Sequence, residues 1–415
     1  MDMINIGYSG ASTAQVELNV TAQNTANAMT TGYTRQVAEI STIGASGGSP
    51  NSAGNGVQVD SIRRVSNQYQ VNQVWYAASD YGYYSTQQGY LTQLEAVLSD
   101  DNSSLSGGFD NFFAALNEAT TSPDDSALRE QVISEAGALS LRIDNTLDYI
   151  DSQSTEIISQ QQAMVSQINT LTSGIASYNQ QIAQAEANGD NASALYDARD
   201  QMVEELSGMM DVQVNIDDQG NYNVTLQNGQ PLVSGQQSST IALETNADGT
   251  ASMTLTFAGT TSTMTTDTGG SLGALFDYQN DVLTPLTDTI NSMASQFADA
   301  VNNQLAQGYD LNGNPGEPLF IYDASNADGP LTVNPDITAD ELAFSSSPDE
   351  SGNSDNLQAL IKYFHRTAGD SQPRQRDGRA GVLVNHQQYR HLQSAKSDGS
   401  RCRVQCLFRS SKPAE

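Results

Sequence analysis

The first 360 residues of this 415-residue chain contain no cysteine, no lysine and no histidine. Without cysteine this part of the chain has no disulfide framework, which suits a protein that can function outside the cell without one. Without lysine or histidine its general bases are limited to carboxylates, so the usual nucleophile–base–acid sets are excluded. No His-Glu-x-x-His pattern occurs in the sequence. The sequence therefore predicts a protein that is not an enzyme and requires no cofactor.

Long apolar runs and positive charge are also scarce. No stretch of about 18 apolar residues occurs, so no membrane span is predicted. The start of the chain has neither the basic nor the apolar region of a cleaved signal peptide. We therefore expect a protein that stays in the cytoplasm or leaves by a route that reads no such signal. With 17 basic and 48 acidic residues the formal net charge is −31, which makes nucleic acid and anionic membranes poor partners.

The basic residues are concentrated at the end of the chain. Residues 361–415 contain 11 of the 17 lysines and arginines but only four acidic residues, a net charge of +7, and they hold all the histidines and cysteines. Cys402 and Cys406 with His386 and His391 have spacings that zinc tolerates. Their order is reversed relative to the usual finger, and no core pattern surrounds them. An accidental cluster is therefore favoured over a zinc site.

Helical periodicity is the strongest pattern that the chain does contain. From about Leu128 to Ala187, apolar or small residues recur mostly at steps of three, four or seven, which predicts a long coiled-coil-like helix. The turn at 188–191 ends this helix, and a second helix at 192–210 is expected to return beside it. The predicted buried seam includes Leu139, Ile143, Ile168, Leu171 and Ile175. The same seam is interrupted at Ser154 and Gln161.

A change of period marks a β unit at about 211–268. Its segments alternate strictly between apolar and polar residues and are separated by turns such as Asp217-Asp218-Gln219-Gly220, which is typical of antiparallel hairpins. The predicted fold class is mainly α with a β insertion, a multidomain α+β chain. The predicted segments are an N-terminal helix and linker (1–65), a long-helix domain (66–210), the β unit (211–268), a returning helix with short extended segments (269–360) and a disordered tail (361–415).

An aromatic cluster lies in a helical stretch that begins near Ser66. Packing in a core or at a subunit interface is the favoured interpretation. Sugar or peptide binding is the alternative, and it would make the protein a secreted carbohydrate-binding or adhesive module. The cluster comprises Trp75, Tyr76, Tyr81, Tyr83, Tyr84 and Tyr90.

Two acidic motifs have both a chemical and a structural interpretation. The loop from Asp310 to Asn314 resembles a calcium loop, but the twelfth position is Ile321, which cannot ligate a metal, so an Asx-type turn is favoured. Asp197, Arg199 and Asp200 could form a catalytic acid cluster. A structural ion pair, in which Arg199 reaches Asp197 or a neighbouring helix, is the commoner arrangement. No metal site is predicted.

The N-terminal segment carries the first resemblance to a known family. A helix with a small-residue face (Ala14, Leu18, Ala22 and Ala26) is predicted up to a left-handed cap at Gly32. Its end resembles the Asn-x-Ala-Asn-x-x-Thr-x-Gly-Tyr-x-Arg motif of flagellar rod, hook and hook-associated proteins. The motif positions here are Asn24, Ala26, Asn27, Thr30, Gly32, Tyr33 and Arg35.

Two further segments narrow this resemblance to the hook-associated protein 1 family. The stretch Leu195-Tyr196-Asp197-Ala198-Arg199-Asp200 is similar to the Leu-x-Asp-x-Arg-Asp motif of that family, with Leu195, Asp197, Arg199 and Asp200 at the motif positions. The segment that starts at Gly269-Gly270-Ser271-Leu272 and continues to Leu319-Phe320 is also similar, in the same order and at similar distances. The resemblance covers roughly residues 1–360.

The resemblance implies a structural subunit of the flagellum at the junction of hook and filament. Members of the family are exported unfolded without a cleaved signal and polymerise through paired N- and C-terminal helices. The implied partners are other copies of the chain, hook protein, the filament-side hook-associated protein and an export chaperone.

Residues 361–415 depart from the family pattern, since they lack a heptad seam and reverse the charge. A frameshift or a fusion is the simplest explanation of this switch, and a genuine tail is the alternative. We expect Met1–Gln36 and the tail to be mobile and the chain to be defective in assembly.

Overall fold

The computed structural model describes residues 3–44, 54–100, 104–246, 250–326 and 329–369, without the side chains of 365–369. The chain divides into two compact units. The first comprises Met1–Gln87 and Ile158–Asp277, and the second comprises Gln88–Ile157 and Tyr278–Glu415. The predicted boundaries at 66, 211 and 269 all fall inside the first unit.

Helix α1 (Met3–Ala26) opens the first unit and packs against the hairpin of β1 (Gln36–Thr42) and β2 (Val57–Arg64). It ends at Ala26, earlier than predicted, and turns lead to Gly32, whose φ of 78° matches the predicted left-handed cap. The predicted small-residue face is exposed. Thr13 and Val20 are buried in its place, because the hairpin covers the opposite side of the helix. Strand β1 has no counterpart among the sequence predictions.

The long helices follow the predicted pattern. Helix α2 runs from Gln68 to Leu98, α4 from Ser126 to Asn188 and α5 from Ser193 to Met209. All five predicted seam residues of α4 are buried. Leu139 and Ile143 lie in the second unit, however, so α5 shares a core only with the later part of α4. The boundary between the two units at 157/158 falls between the polar interruptions Ser154 and Gln161. The seam residues before and after this boundary therefore belong to different units.

The β unit contains two antiparallel sheets, as the alternation predicts. Strands β3 to β6 form a four-stranded sheet in sequential order, and β7 to β9 form a three-stranded sheet. The bounds are Val212–Ile216, Tyr222–Leu226, Pro231–Ser234, Gln237–Ser238, Thr240–Thr245, Ala251–Phe257 and Thr260–Met264. Their inward residues join Ile168, Ile175 and Leu206 in one buried cluster. Helix α6 (Gly270–Tyr278) adds Leu272 and Phe276 to this core.

The second unit is built around α3 (Leu105–Ala119), which the sequence did not predict, and α7 (Thr284–Leu305), which follows a π-helix at Gln279–Leu283. The returning helix predicted after residue 269 is therefore three consecutive elements. A hairpin of β10 (Phe320–Tyr322) and β11 (Leu331–Val333) and a final helix α8 (Asp355–Gly369) complete the unit.

Helix α8 corrects the predicted start of the tail. The sequence places a disordered segment from Ile361 onwards, but α8 continues to Gly369. Ile361 is buried, and the ring of Phe364 lies 5.0 Å from Phe113 and 5.5 Å from Phe297, measured between centroids. These aromatic contacts order the first residues past the predicted boundary. The remainder of the predicted tail, 370–415, lies outside the described residues, as do Cys402, Cys406, His386 and His391.

A buried arginine ties the loops of the second unit together. Arg129 donates hydrogen bonds to the carbonyl oxygens of Pro123, Ala339 and Leu342 at 2.5, 2.9 and 2.7 Å. Its guanidinium carbon lies 4.6 Å from the ring centroid of Phe344. Burial lowers the pKa of Arg129 to about 10, so the group remains charged at neutral pH. Within the described ranges, none of the helices is long and apolar enough to span a membrane.

Candidate functional site

The N-terminal motif forms a closed turn around Asn24. The Oδ1 atom of Asn24 accepts hydrogen bonds from the Tyr33 hydroxyl at 2.8 Å and from the Gln36 backbone NH at 2.9 Å. Its Nδ2 atom donates to the Gln36 carbonyl at 2.8 Å. One carboxamide therefore joins the last turn of α1 to the first residue of β1. This arrangement aims the segment that contains Thr34 at α5.

The other motif positions have smaller local roles. Asn27 donates to the Gln23 carbonyl at 3.0 Å, and the Thr30 hydroxyl donates to the Asn27 side chain at 3.3 Å. Gly32 supplies the left-handed conformation, and a Cβ atom there would lie 3.3 Å from the Gln201 side chain of α5. The side chains of Ala26 and Arg35 are exposed. The Arg35 carbonyl accepts a hydrogen bond from Val65 NH at 2.8 Å.

Arg64 at the end of β2 connects this turn to the second motif. Its Nε atom lies 2.9 Å from Oδ1 of Asp197, and its Nη2 atom bonds to Oδ2 of Asp200. The same Nη2 atom donates to the Thr34 hydroxyl at 3.1 Å, and the Thr34 backbone NH donates to Oδ2 of Asp197 at 3.2 Å. The ion-paired side chains are mostly buried. We call this set of Thr34, Arg64, Asp197 and Asp200 the polar joint.

Arg199 makes one of the two alternative contacts predicted for it, the contact with a neighbouring helix. It does not pair with Asp197. Its Nη1 atom donates to Oδ1 of Asn179 on α4 at 2.8 Å and to the Gly220 carbonyl at 3.0 Å. The guanidinium carbon lies 3.4 Å from the ring centroid of Tyr222, a cation–π contact. Burial lowers the pKa of this guanidinium below its ordinary value. The expected contact with a neighbouring helix is present, whereas the expected pair with Asp197 is made by Arg64.

Tyr222 links the buried arginine to the polar joint. Its hydroxyl donates to Oδ1 of Asp200 at 2.7 Å, so each oxygen of that carboxylate has a partner. Burial, and to a lesser extent the charge of Asp200, raises the pKa of Tyr222 above its ordinary value. Leu195, the remaining position of the second motif, is partly buried on α5. The network therefore spans β2, α5 and β4.

Sequence reasoning missed four residues of this network: Thr34, Arg64, Asn179 and Tyr222. Arg64 carried a usable signal, because it is one of only six arginines in the first 360 residues and these contain no lysine. Each acidic motif in that region has few available cationic partners. Nothing in the sequence singled out Asn179. Its amide accepts from Arg199 and from Tyr222 NH, and it donates to the carbonyls of Tyr222 and Gly235.

An open groove of about 630 Å³ lies beside the polar joint. It is lined by residues 59–64 of β2, by the turn after α4 and by Tyr196. The Tyr196 hydroxyl donates to Glu186 at 2.5 Å, and burial followed by this bond raises the pKa of Tyr196 to about 12. The acidic and basic groups of the polar joint are bound to one another. Among the described residues, no group of three His, Cys, Asp or Glu side chains could hold a metal ion.

The loop at Asp310 in the second unit is an Asx-type turn, as the sequence favours. Oδ1 of Asp310 accepts from Asn312 NH at 2.8 Å and from Asn314 NH at 2.7 Å, and Oδ2 accepts from the Asn314 side chain at 3.0 Å. Burial acts against ionisation of this carboxyl, but the bonds from Asn314 and Asn312 outweigh it and lower the pKa. Gly313 has a φ of 78°, which the turn requires.

Comparison with known proteins gives the family. The model of the flagellar hook-associated protein FlgK helical domain matches residues 91–320, which is more than half of the chain. The chain belongs to the FlgK family. The family match confirms the resemblance read from the sequence, and it includes Asp197 and Asp200. It does not include Arg64 or the N-terminal motif, whose role in axial packing stays a prediction.

Each match with a known protein covers only part of that protein's length. Flagellar hook-associated protein 1 of Salmonella typhimurium is 32% identical over 242 residues, which are 58% of this chain and 44% of the relative. The protein of the same name from Bacillus subtilis is 32% identical over 221 residues, 50% of this chain and 43% of the relative. The structure of the flagellar hook junction protein FlgK from Burkholderia pseudomallei matches with a TM-score of 0.57 and 30% identity. It covers 61% of this chain and 47% of that one. The matched region thus spans less than half of each FlgK relative.

Proposed function

We propose that this chain is a structural subunit of the bacterial flagellum that joins hook to filament and polymerises through its terminal helices. The polar joint carries the proposal, because it anchors a mostly exposed N-terminal helix to a folded unit in a chain of the FlgK family. The relatives named as hook-associated protein 1 and as hook junction protein support this role.

The electrostatics of the polar joint support a mechanical role over a catalytic one. Arg64 is bonded to two carboxylates, and Asp200 is also bonded to Tyr222. A catalytic acid or base needs a proton site that can reach a substrate, and the oxygens of Asp200 are both engaged. A partly buried ion pair instead fixes the orientation of the elements that it connects. We therefore interpret the polar joint as the connection through which α1 is held.

The exposed apolar side of α1 supports packing against further helices. Met3, Ile4, Tyr8 and Leu18 are all exposed large side chains on this one helix. Exposed apolar patches of this kind mark surfaces that are covered in an assembly. The proposed partners are other copies of the chain, hook protein and the filament-side hook-associated protein. In this proposal the chain leaves the cell unfolded with the help of an export chaperone.

The composition of residues 370–415 leads us to propose that this chain assembles poorly. The segment combines Pro373, Gly378, Gly381 and Gly399 with arginine and serine and has no sustained apolar seam. Proline and glycine disfavour a continuous helix, so the sequence of this segment does not have the pattern expected of a helix that would pair with α1. Recognition by an export chaperone is also reduced if it depends on that region.

Complementation tests the proposed function. A strain that lacks its own hook-associated protein 1 would receive either this chain or a chimera in which 370–415 is replaced by the C-terminal segment of the strain's protein. We expect the chimera to restore filament attachment and swimming and the unaltered chain not to do so. A chimera that is folded and exported yet leaves hooks without filaments would contradict the subunit role. Restoration by the unaltered chain would contradict the assembly defect alone.

A further inference from the structure

Four asparagines of the chain are followed directly by glycine. These Asn-Gly pairs are Asn55-Gly56, Asn188-Gly189, Asn228-Gly229 and Asn312-Gly313. Asparagine before glycine is prone to spontaneous deamidation, because glycine has no Cβ atom to hinder attack of its backbone nitrogen on the asparagine carboxamide. The local sequence is therefore permissive at all four pairs, and the surroundings that the fold gives to each pair decide which of them reacts.

The Asn228-Gly229 pair lies in the exposed turn between β4 and β5. Oδ1 of Asn228 accepts a hydrogen bond from the Gln230 backbone NH at 3.0 Å, and this bond closes a ring of atoms that includes the Gly229 nitrogen. Cγ of Asn228 is thereby held next to that nitrogen. The same bond stabilises the negative charge that develops on Oδ1 when the nitrogen attacks Cγ.

The surroundings of this turn also favour the reaction. A Cβ atom built on Gly229 would meet nothing within 4 Å, so the turn is open to water and hydroxide. Residues 219–243 carry no charged side chain, so this stretch of chain does not oppose loss of the proton from the Gly229 nitrogen. The Gly229 NH donates to the Leu226 carbonyl at 2.9 Å, and this bond has to open first. Equivalent bonds hold Gly189 and Gly313, so this requirement does not distinguish the three pairs.

The Asn188-Gly189 pair is held in a less reactive conformation. Asn188 is the last residue of α4, and the Gly189 NH donates to the Glu186 carbonyl at 3.0 Å. The Asp190 NH donates to the Ala185 carbonyl at 2.8 Å. These bonds keep Asn188 helical, which directs the glycine nitrogen along the helix and away from the carboxamide. The negative end of the helix dipole and the two neighbouring carboxylates also oppose an anion at this position.

The remaining two pairs are restrained by their neighbours. Asn55 is buried, and its Nδ2 atom donates to the Gly44 carbonyl at 2.6 Å. Asn312 belongs to the turn around the carboxylate of Asp310, whose lowered pKa keeps it ionised and opposed to a second negative charge. A Cβ atom on the glycine after Asn312 would lie 2.8 Å from the Pro348 carbonyl, so this backbone is closely packed.

We propose that Asn228 is a site of spontaneous deamidation in the folded chain and that it reacts before the other three asparagines. The Gly229 nitrogen forms a bond to Cγ of Asn228, and its proton passes through water to Nδ2. The bond between Cγ and Nδ2 breaks, so that ammonia leaves and a cyclic imide remains. Water then opens the imide at either of its two carbonyls and gives aspartate or isoaspartate. This inference is independent of the proposed role in the flagellum.

Deamidation of Asn228 alters a contact between the two sheets of the β unit. Nδ2 of Asn228 donates to Oε1 of Gln230 at 3.0 Å, and Nε2 of Gln230 donates to the Thr263 carbonyl of β9 at 2.9 Å. The carboxylate product cannot donate to Oε1, and isoaspartate also adds a methylene group to the backbone of the turn. We therefore expect the product to loosen the connection between this turn and β9.

Peptide mass spectrometry of the full chain tests the proposal. The folded chain is incubated at pH 7 or pH 8 and then cleaved with pepsin at acidic pH, and a deamidated peptide gains one mass unit. At pH 8 we expect the rate at Asn228 to exceed that at each other pair at least about fivefold, equivalent to about 1 kcal/mol in the activation free energy. The rate should fall about tenfold at pH 7, because the concentration of deprotonated nitrogen follows that of hydroxide.

The same chain unfolded in urea is the control for the effect of the fold. Only the local sequence acts there, so the four rates should converge. Asn228→Gln should abolish the mass gain in its peptide, because glutamine would have to form a larger ring. A folded chain in which Asn188 or Asn312 reacts first would overturn the proposal. Rates that are no more different in the folded chain than in urea would overturn it as well.

The variant Asn228→Asp tests the structural consequence separately. It reproduces the aspartate product, and the backbone amide protons of residues 260–264 should exchange faster in it than in the parent chain. Asn188→Asp adds the same charge at the end of α4 and should leave this exchange unchanged. Equal exchange in the parent and in Asn228→Asp would contradict the loosened connection to β9.

Discussion

The Nε atom of Arg64 lies 2.9 Å from Oδ1 of Asp197, and this ion pair connects the end of the N-terminal hairpin to helix α5. Among the described residues before 67, no buried apolar side chain belongs to the core cluster of the first unit, which begins at Val71 and Trp75. The N-terminal segment is therefore held to α5 mainly by polar contacts. Its attachment depends on a few identifiable atoms, which makes it accessible to mutation.

Arg64→Ala should destabilise the attachment of the N-terminal segment. Removing one partner of a mostly buried ion pair leaves Asp197 and Asp200 without their cation, which costs about 3 kcal/mol. We expect faster exchange of the backbone amide protons of residues 24–36 and a lower midpoint of unfolding by urea. Unfolding can be monitored by the fluorescence of Trp75, the single tryptophan of the chain.

The neighbouring Arg63→Ala variant is a matched control for this experiment. The Arg63 side chain is 58% exposed and pairs with the exposed Glu39, whereas that of Arg64 is 10% exposed. An exposed pair contributes about 0–1 kcal/mol. Equal effects of the two substitutions would show that the polar joint does not hold the N-terminal segment.

Arg129→Ala should strongly destabilise the second unit. The substitution leaves three carbonyl oxygens without their donor and removes the cation over Phe344. We expect a loss of about 3–5 kcal/mol in the free energy of unfolding, measured by chemical denaturation. Arg129→Lys should recover only part of it, because an ammonium cannot reproduce the planar fork. Arg142→Ala, which removes one hydrogen bond to the Ser104 carbonyl, is the control and should lose about 1 kcal/mol.

Asp144→Asn should stabilise the chain at neutral pH. Burial, and to a lesser extent the charge of Asp148, raises the pKa of Asp144 to about 6, above its ordinary value of 3.8. A raised carboxyl pKa means that the protonated form is favoured on folding. The resulting contribution to the stability of the folded chain is fully present below the ordinary pKa of 3.8 and is lost as the pH rises through about 6.

Stability measured at two pH values tests the Asp144 prediction. Asparagine cannot ionise, so the variant should gain about 1 kcal/mol at pH 7 after allowance for solvent screening, and it should match the parent at pH values below about 4. The exposed Asp151→Asn substitution on the same helix is the control. A gain that is the same at both pH values would rule out ionisation of Asp144 as the cause.

Phe364→Ala should destabilise the second unit even though Phe364 lies beyond the predicted end of the folded region. Its ring packs on Phe113 and Phe297, and truncation of a packed phenylalanine costs about 3 kcal/mol. Tyr363→Ala, at the half-exposed neighbour, should cost less than about 1 kcal/mol. Thermal unfolding of both variants distinguishes them. No loss in Phe364→Ala would restore the boundary near Ile361 that the sequence predicts.

The sequence alone predicted the elements whose causes are local. The helical seam of α4, the alternation of β3 and β4 and the Asx-type turn at Asp310 all follow from residues close together in the chain. Burial periodicity and turn chemistry act over a few residues, so one sequence is enough to recognise them. The family resemblance was readable for the same reason, since its motifs are contiguous.

Only the tertiary structure decided which distant residues meet. The sequence left open whether Arg199 reaches Asp197 or a neighbouring helix. The fold brings Arg64 to Asp197 and leaves Arg199 with Asn179 and Tyr222. It likewise placed the buried Arg129 among three carbonyls and ordered α8 through Phe364. Any of the six arginines in the first 360 residues could pair with a given carboxylate as far as local pattern is concerned. The choice depends on which elements pack together, and that packing is set by apolar burial summed over the whole unit.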